Sequence, residues 1–338
     1  MKKIVLLIFS LFMASTVAII PASATTYQLN FTKSGGNYLY SNNVETILGS
    51  EVSSSPYGKY TVEHSLSANN EYTAEFYHHN NASTNLTFGI AIKNNNTKSA
   101  QVRVLGKAVN AGSQTLDTAT LTTRDFGNST NDQYITIPAG QTVVLLSKDV
   151  TAPYIVDGKV SFVPTASNMK ARIFYMKTSN YNVNSIFGLP KQTTSDYQKV
   201  SGVFPTWKRY ATVDGNIFYN NTFYLSSYSW VGNQNEYDTP ISYIGKSNLD
   251  GNYGVLYDLQ LKNAAGKRLK ITPYLNEKDP RAAGQLVLWT SSTGWYRTTS
   301  INHTSAIKYW VMSIPADQHI KYMLPGGNYG NVKFDIID

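Results

Sequence analysis

The chain has no cysteine in 338 residues, which excludes a disulfide scaffold, a thiolate metal site and a cysteine nucleophile. Charged side chains make up only 15% of it, and histidine occurs five times. No block of like charge occurs, which argues against a nucleic-acid surface. The Gly-x-Ser-x-Gly elbow, His-Glu-x-x-His and the two glycine-rich phosphate loops are also missing, so common acyl-transfer, metalloprotease and nucleotide chemistries have no local signature. Beyond the first residues no apolar run approaches bilayer length, and the expectation is a protein that does not span a membrane. Apolar residues at helical spacing are missing as well.

The N-terminus does carry a signal. Lys2 and Lys3 precede the apolar run from Ile4 to Leu11 and a small-residue site, Ala22-Ser23-Ala24. This reads as a secretory signal peptide over 1–24. Without its two lysines the formal charge falls from +8 to +6. A modest positive excess reads as a solvated basic surface, or as one suited to residence beside anionic wall polymers or lipid head groups. Export without cysteine suggests a Gram-positive source.

Strand patterning dominates the rest. Phe88, Ile90 and Ile92 alternate with Gly89, Ala91 and Lys93, and after Asn94 to Thr97 the alternation resumes at Val102 and Val104. Val255, Tyr257, Leu259 and Leu261 repeat the device before Leu269 and Ile271. Both stretches are expected to form antiparallel hairpins with one wet face. Four blocks recur in the same order: Tyr38 to Asn43 as Ile217 to Asn221, Phe88 to Asn94 as Tyr257 to Asn263, Ile137 to Gln141 as Ile314 to Gln318, and Gly158 to Phe162 as Gly330 to Phe334. The expected fold is therefore all-β, with two tandem antiparallel β-sandwich domains related by internal duplication: 25–181, a linker over 182–200, and 201–338. The first copy continues into a strand at Ala171 to Met176 that the second lacks, so the second either leaves an edge open to a strand partner or has an edge that is short, protected by Lys333 and Asp335, or covered by the linker.

Few residues suggest chemistry. His78 and His79 follow Glu71 and Glu75, yet adjacent strand residues point to opposite faces and do not chelate one ion. No metal or cofactor is expected. Asp214-Gly215-Asn216 and Asp250-Gly251-Asn252 lack the remaining ligands of a calcium loop and read as hairpin turns. Carboxylate pairs such as Glu63 and Glu75, or Asp250 and Asp258, keep a polysaccharide hydrolase as the alternative reading. All five tryptophans, Trp207, Trp230, Trp289, Trp295 and Trp310, fall in the second half. Trp289 and Trp295 flank a short loop, with Tyr296 and Arg297 beside them. This group is the candidate ligand site, either a platform for sugar rings or a cross-strand pair that stabilises a hairpin.

Tyr77-His78-His79-Asn80, the strand Gly89 to Asn94 and Ile135 to Gly140 resemble exported β-sandwich proteins of Gram-positive bacteria. Those proteins carry no established activity, so the resemblance transfers no functional residues. The expected function is that of a non-catalytic surface or matrix protein, secreted or attached to the wall, that binds cell-wall polymer or extracellular polysaccharide.

Overall fold

A computed structural model describes residues 26–53, 57–218, 222–228 and 234–338. The expected signal peptide and Trp230 lie outside the described residues. In chain order the first strands are β1 (Thr26–Tyr27), β2 (Thr32–Ser34), β3 (Asn37–Ser41), β4 (Thr46–Leu48), β5 (Gly58–Leu66), β6 (Tyr72–Asn81), β7 (Leu86–Asn94) and β8 (Ala100–Gly112). Then come β9 (Gln133–Ile137), β10 (Thr142–Val150), β11 (Ile155–Pro164), β12 (Met169–Lys177), β13 (Val200–Phe204), β14 (Lys208–Asp214), β15 (Thr222–Leu225) and β16 (Ser242–Gly245). The last are β17 (Leu256–Lys262), β18 (Arg268–Thr272), β19 (Ala283–Gly284), β20 (Val287–Thr290), β21 (Gly294–Arg297), β22 (Ile301–Asn302), β23 (Trp310–Ser313), β24 (His319–Met323) and β25 (Val332–Ile337). Helices are α1 (Gly49–Val52), α2 (Thr115–Asn128) and α3 (Gly215–Phe218).

Two β-sandwiches result. In the first, the sheet β10-β7-β12-β5 faces the sheet β16-β13-β3-β6-β11-β8-β9, to which β4 adds beside β6. Their shared core includes Phe76, Phe88, Ile90, Val102, Val160 and Phe162. In the second, β1-β15-β25-β18-β23 faces β2-β14-β17-β24-β20-β21 over Phe223, Phe334, Leu259, Leu261, Ile320 and Leu288.

Strand membership does not follow the division expected at 182–200. Strands β1 and β2, from the N-terminal end, join the second sandwich, while β13 and β16 join the first. The exchange runs along one two-stranded ribbon. Strand β2 pairs antiparallel with β14 in the second sandwich, and β3 pairs antiparallel with β13 in the first. One strand of the ribbon crosses between the sandwiches through Gly35 and Gly36, and the other through Pro205-Thr206-Trp207. Its outer partners, β6 beside β3 and β17 beside β14, are both parallel pairings.

The crossing has no spare room. A Cβ on Gly36 would stand 1.9 Å from the Glu71 carbonyl oxygen, and one on Gly35 would stand 2.7 Å from the Trp207 ring. Both glycines have positive φ, a backbone region costly for residues with a side chain. Trp207 seals the joint: its backbone N–H donates to Ser34 O at 3.2 Å and its indole N–H to Glu71 Oε1 at 3.0 Å.

The expected hairpins around Asn94 and Asn263 are instead corners. Strand β7 pairs with β10 and β12 while β8 pairs with β9 and β11, so the chain changes sheet between them. Asn94, fully buried, holds the first corner by donating to the carbonyls of Lys98 and Ile137, both at 2.9 Å. Nor is the outer face of β7 wet. The segment expected as a linker folds into a short helical turn, and Ile186 and Leu189 pack on Ala91, Phe174 and Met176. Small residues at Gly89 and Ala91 permit that approach. Asp214 likewise leads into α3 rather than a hairpin, its carboxylate accepting from Asn216 N–H at 2.9 Å.

Helix α2 has no counterpart in the sequence reading. It is rich in threonine, a β-branched residue of low helix propensity, and five threonines fall within its span. Buried Thr120, Thr122 and Thr123 donate to the carbonyls four residues earlier, at 2.9, 3.1 and 2.9 Å. Back-bonding satisfies the hydroxyls, and the helix lies between the two sandwiches with Thr118, Ala119, Thr120, Thr122, Thr123 and Phe126 buried.

The recurring blocks meet the structure unevenly. Strands β9-β8-β11 and β23-β18-β25 pair in the same register: Val102 opposes Ile135 as Leu269 opposes Met312, and Phe162 opposes Val104 as Phe334 opposes Ile271. The Ile-Pro-Ala turns also agree, with Gln141 N–H donating to Pro138 O at 3.1 Å and Gln318 N–H to Pro315 O at 2.8 Å. The first block does not agree. Tyr38 to Ser41 lie on β3, whereas Ile217 and Phe218 end α3 and 219–221 fall outside the described residues. The edge in question is not open: β14, followed by β2, occupies the place beside β17 that β12 holds beside β7.

Gly36→Ala should lower unfolding free energy by at least about 3 kcal/mol, through backbone strain and the clash together. Gly140 has φ +72 and open space around it, so Gly140→Ala should cost only about 1 kcal/mol. Chemical denaturation measures both, and equal losses would contradict a crowded crossing.

Candidate functional site

The strand exchange buries both faces of β3, β6 and β11, the central strands of the eight-stranded sheet. Side chains of β3, β6 and β11 that would otherwise meet water instead meet the end of the second sandwich, where β17 begins. Lys159 and Glu75 lie there, 1% and 2% exposed, joined at 2.8 Å. Lys159 also donates to Gly254 O at 2.5 Å, and its ammonium stands about 5 Å from the rings of Tyr38, Phe126 and Trp207. The Tyr38 hydroxyl donates to Glu75 Oε2 at 2.8 Å. A charge pair this deep needs further hydrogen bonds to offset its desolvation, and Gly254 O and the Tyr38 hydroxyl supply them. Beside it, burial and the nearby Glu75 raise the Asp157 carboxyl well above the ordinary carboxylate range. Neither Asp157 oxygen has a hydrogen-bond partner.

Along the same junction opens a cleft of about 840 Å³. Its floor comes from the first sandwich: Tyr40 on β3, Asn42 just after it, and Tyr77 on β6. Tyr253, Tyr274, Asn328 and Tyr329 close the opposite wall, and Tyr197 reaches it from the segment docked on the first sandwich. Among the described residues, seven tyrosines and five side-chain amides line the space. Floor atoms without a partner include the Tyr40 hydroxyl and Asn42 Oδ1, on residues 1% and 8% exposed. Unpaired polar atoms in a buried floor mark a place where a polar ligand can be bound. At the rim Tyr197 is 79% exposed and Tyr274 43%. Tyr274 meets Tyr329 edge-on, and the Tyr329 hydroxyl donates to Asp279 at 2.8 Å.

The tryptophan hairpin forms as expected but serves a different surface. Trp289 lies directly opposite Trp295 on β20 and β21. The Trp295 ring lies on Gly127 of α2, where a Cβ would come within 2.5 Å, and Asn128 Nδ2 donates to Trp295 O at 3.0 Å. Arg297 pairs with Asp117 of the same helix. Tyr296 lies against the core of the second sandwich, its hydroxyl 3.7 Å from Met312 Sδ. Trp289 covers His319 and Lys321. The hairpin is thus a docking face for α2, and all four candidate residues are engaged within the protein: Trp295 and Arg297 on α2, Tyr296 on the core, and Trp289 on its neighbours His319 and Lys321.

Other sequence candidates are dispersed. Glu63 pairs with Arg172 and Lys170 on the outer sheet of the first sandwich, and Glu75 is the junction partner of Lys159. Asp258 binds His319 and Lys321 on the far sheet, while Asp250 lines the cleft and pairs with Lys246. His78 and His79 do point to opposite faces of β6: His79 meets Pro153 O at 3.1 Å, while His78 is buried between Ser41 Oγ at 2.9 Å and Val44 O at 2.8 Å. Among the described residues no group of three metal-ligating side chains converges, and no helix is long and apolar enough to cross a membrane. The cleft tyrosines were not singled out in the sequence, since 25 tyrosines spread along a β-rich chain read as strand formers.

Burial pushes the His78 imidazole down to about 4 from 6.5. An unfolded chain binds this proton below pH 6.5 and the folded chain does not. The stabilisation from keeping His78 neutral is therefore complete above pH 6.5, and it shrinks as the pH falls towards 4, by roughly 3 kcal/mol in all. Nuclear magnetic resonance should show the His78 ring unprotonated until about pH 4; titration near 6.5 would contradict the buried placement.

No family model and no curated protein matches the chain. Thirty-five chains of solved structures do. One is the CUB1-EGF-CUB2 domain of human MASP-1/3, at 8% identity and a TM-score of 0.17, covering 82% of this chain and 98% of that one. A likeness so slight carries no argument about this protein.

Proposed function

We propose that the chain is an exported, non-catalytic surface or matrix protein of a Gram-positive cell, and that it holds polysaccharide or cell-wall polymer in the cleft between its sandwiches. The observation that carries this reading is the lining: exposed tyrosine faces at the rim over side-chain amides, with the unpartnered Tyr40 hydroxyl and Asn42 Oδ1 at the floor. Sugars present the complementary surface, apolar C–H faces for stacking and hydroxyls for hydrogen bonds. We also propose that the two sandwiches descend from one duplicated module, which the shared register of β9-β8-β11 and β23-β18-β25 supports.

The non-catalytic part of the reading rests on the carboxylates. A glycosidase needs one carboxylic acid with a raised pKa beside the scissile bond. The cleft acids Glu45, Asp250 and Asp279 each face a cation, and the hydroxyl of Tyr329 holds Asp279 below its ordinary value. Acids raised by burial, Asp157 and Glu236, are not among the lining residues.

Residues 25–338 incubated with purified Gram-positive wall and with insoluble polysaccharides should co-sediment with at least one. Tyr274→Ala should weaken retention about 5- to 10-fold, the worth of one stacked aromatic face, and Trp289→Ala should leave it unchanged. Retention lost with Trp289→Ala and kept with Tyr274→Ala would move the site to the hairpin; no retention on any polymer would end the binding reading.

A further inference from the structure

We propose that the cleft selects an uncharged oligosaccharide and rejects polyanionic polymers, although the protein as a whole is basic. This rests on the glycan reading above. Three cations line the cleft, Lys199, Lys246 and Arg281, against three carboxylates, Glu45, Asp250 and Asp279. They cancel in pairs: Lys199 with Glu45, Lys246 with Asp250 at 3.0 Å, and Arg281 with Asp279 at 3.5 Å. An incoming phosphate or uronate would have to compete for Lys246 with the Asp250 carboxylate, whose side chain is only 10% exposed. Drawing a cation away from a mostly buried carboxylate is unfavourable, so the Lys246–Asp250 pair discriminates against anions, while Arg281, 90% exposed, stands in solvent at the rim.

The floor discriminates in the same direction by a different route. Asn42 Oδ1 has only lone pairs to offer, so the ligand atom that reaches it must donate a hydrogen bond. Sugar hydroxyls and acetamido N–H groups donate. Ionised phosphate, sulfate and carboxylate oxygens only accept, and they would add a second acceptor against the first. The Tyr40 hydroxyl, also unpartnered, can donate or accept and suits the same hydroxyl-rich ligand. Above this floor the exposed rings of Tyr197 and Tyr274 come from opposite sides of the cleft, where flat sugar faces would stack. A space of about 840 Å³ accommodates more than a single ring. The overall positive charge then acts at a distance, holding the protein near an anionic envelope without entering the cleft.

Titration calorimetry on the intact mature chain tests this with soluble probes. Chitotetraose, cellotetraose, maltotetraose and xylotetraose form the neutral arm; oligogalacturonate and glycerol-phosphate oligomers form the anionic arm. Both are measured at about 20 mM and about 500 mM NaCl, across which screening removes most long-range attraction. The expected result is binding of at least one neutral probe, with an affinity that moves less than about 2-fold with salt and exceeds every anionic probe by about 10-fold or more. Tyr40→Phe removes an unpartnered hydroxyl, so it should weaken that neutral probe about 5-fold while leaving the thermal midpoint unchanged or higher. Tighter binding of an anionic probe, lost at high salt, would overturn the neutral assignment and leave a glycan site standing. Neutral binding untouched by both Tyr40→Phe and Tyr274→Ala would overturn the assignment to this cleft. Failure of every probe in both arms would remove the glycan reading itself, and this inference with it.

Discussion

The ribbon formed by β2-β3 and β13-β14 is the constraint on which the remaining architecture depends. It crosses from one sandwich to the other over two glycines on one strand and three residues on the other, and it is hydrogen-bonded on both sides of the crossing. So short a joint leaves the sandwiches no freedom to separate or rotate as beads on a linker would. The Trp207 indole fills the crossing and ties it to Glu71, and crowding at Gly35 and Gly36 removes alternative paths.

Burial at the junction follows from that constraint. Once the second sandwich is held against β3, β6 and β11, their outward side chains lose water and must find partners within the protein. Lys159 and Glu75 find each other, together with Gly254 O, Tyr38 and three aromatic rings. Helix α2 fills the other flank, with its threonine hydroxyls bonded to its own backbone and its Gly127 open to Trp295. The cleft remains where the two surfaces diverge. Its floor belongs to one sandwich and much of its wall to the other, so its shape is set by how they are joined.

Local patterning made several elements legible in the sequence. Two-residue alternation located β7, β8, β17 and β18, the strand at Ala171 to Met176 is β12, and the Trp289–Trp295 hairpin was placed with its cross-strand pair. Pairing was not legible, because alternation tells which face a residue takes and says nothing of which strand lies beside it. The turns at Asn94 and Asn263 therefore read as hairpins although they are corners. Helix α2 escaped notice because threonine scores as a strand former until its hydroxyls are seen bonding back along the helix. The cleft escaped for a related reason: Tyr40, Asn42, Tyr253 and Tyr274 are far apart in the chain and come together only through the strand exchange. Tryptophan counts pointed instead to Trp295 and Arg297, which the second sandwich uses to hold α2.

The central claim is that one shared ribbon makes the two sandwiches a single cooperative body. Unfolding in urea tests it most directly, followed at once by tryptophan fluorescence, which reports the second half of the chain, and by hydrogen exchange at β7 and β12 amides, which report the first sandwich. The account predicts coincident transitions with one midpoint. Two separated midpoints, with one sandwich still folded while the other is lost, would contradict it.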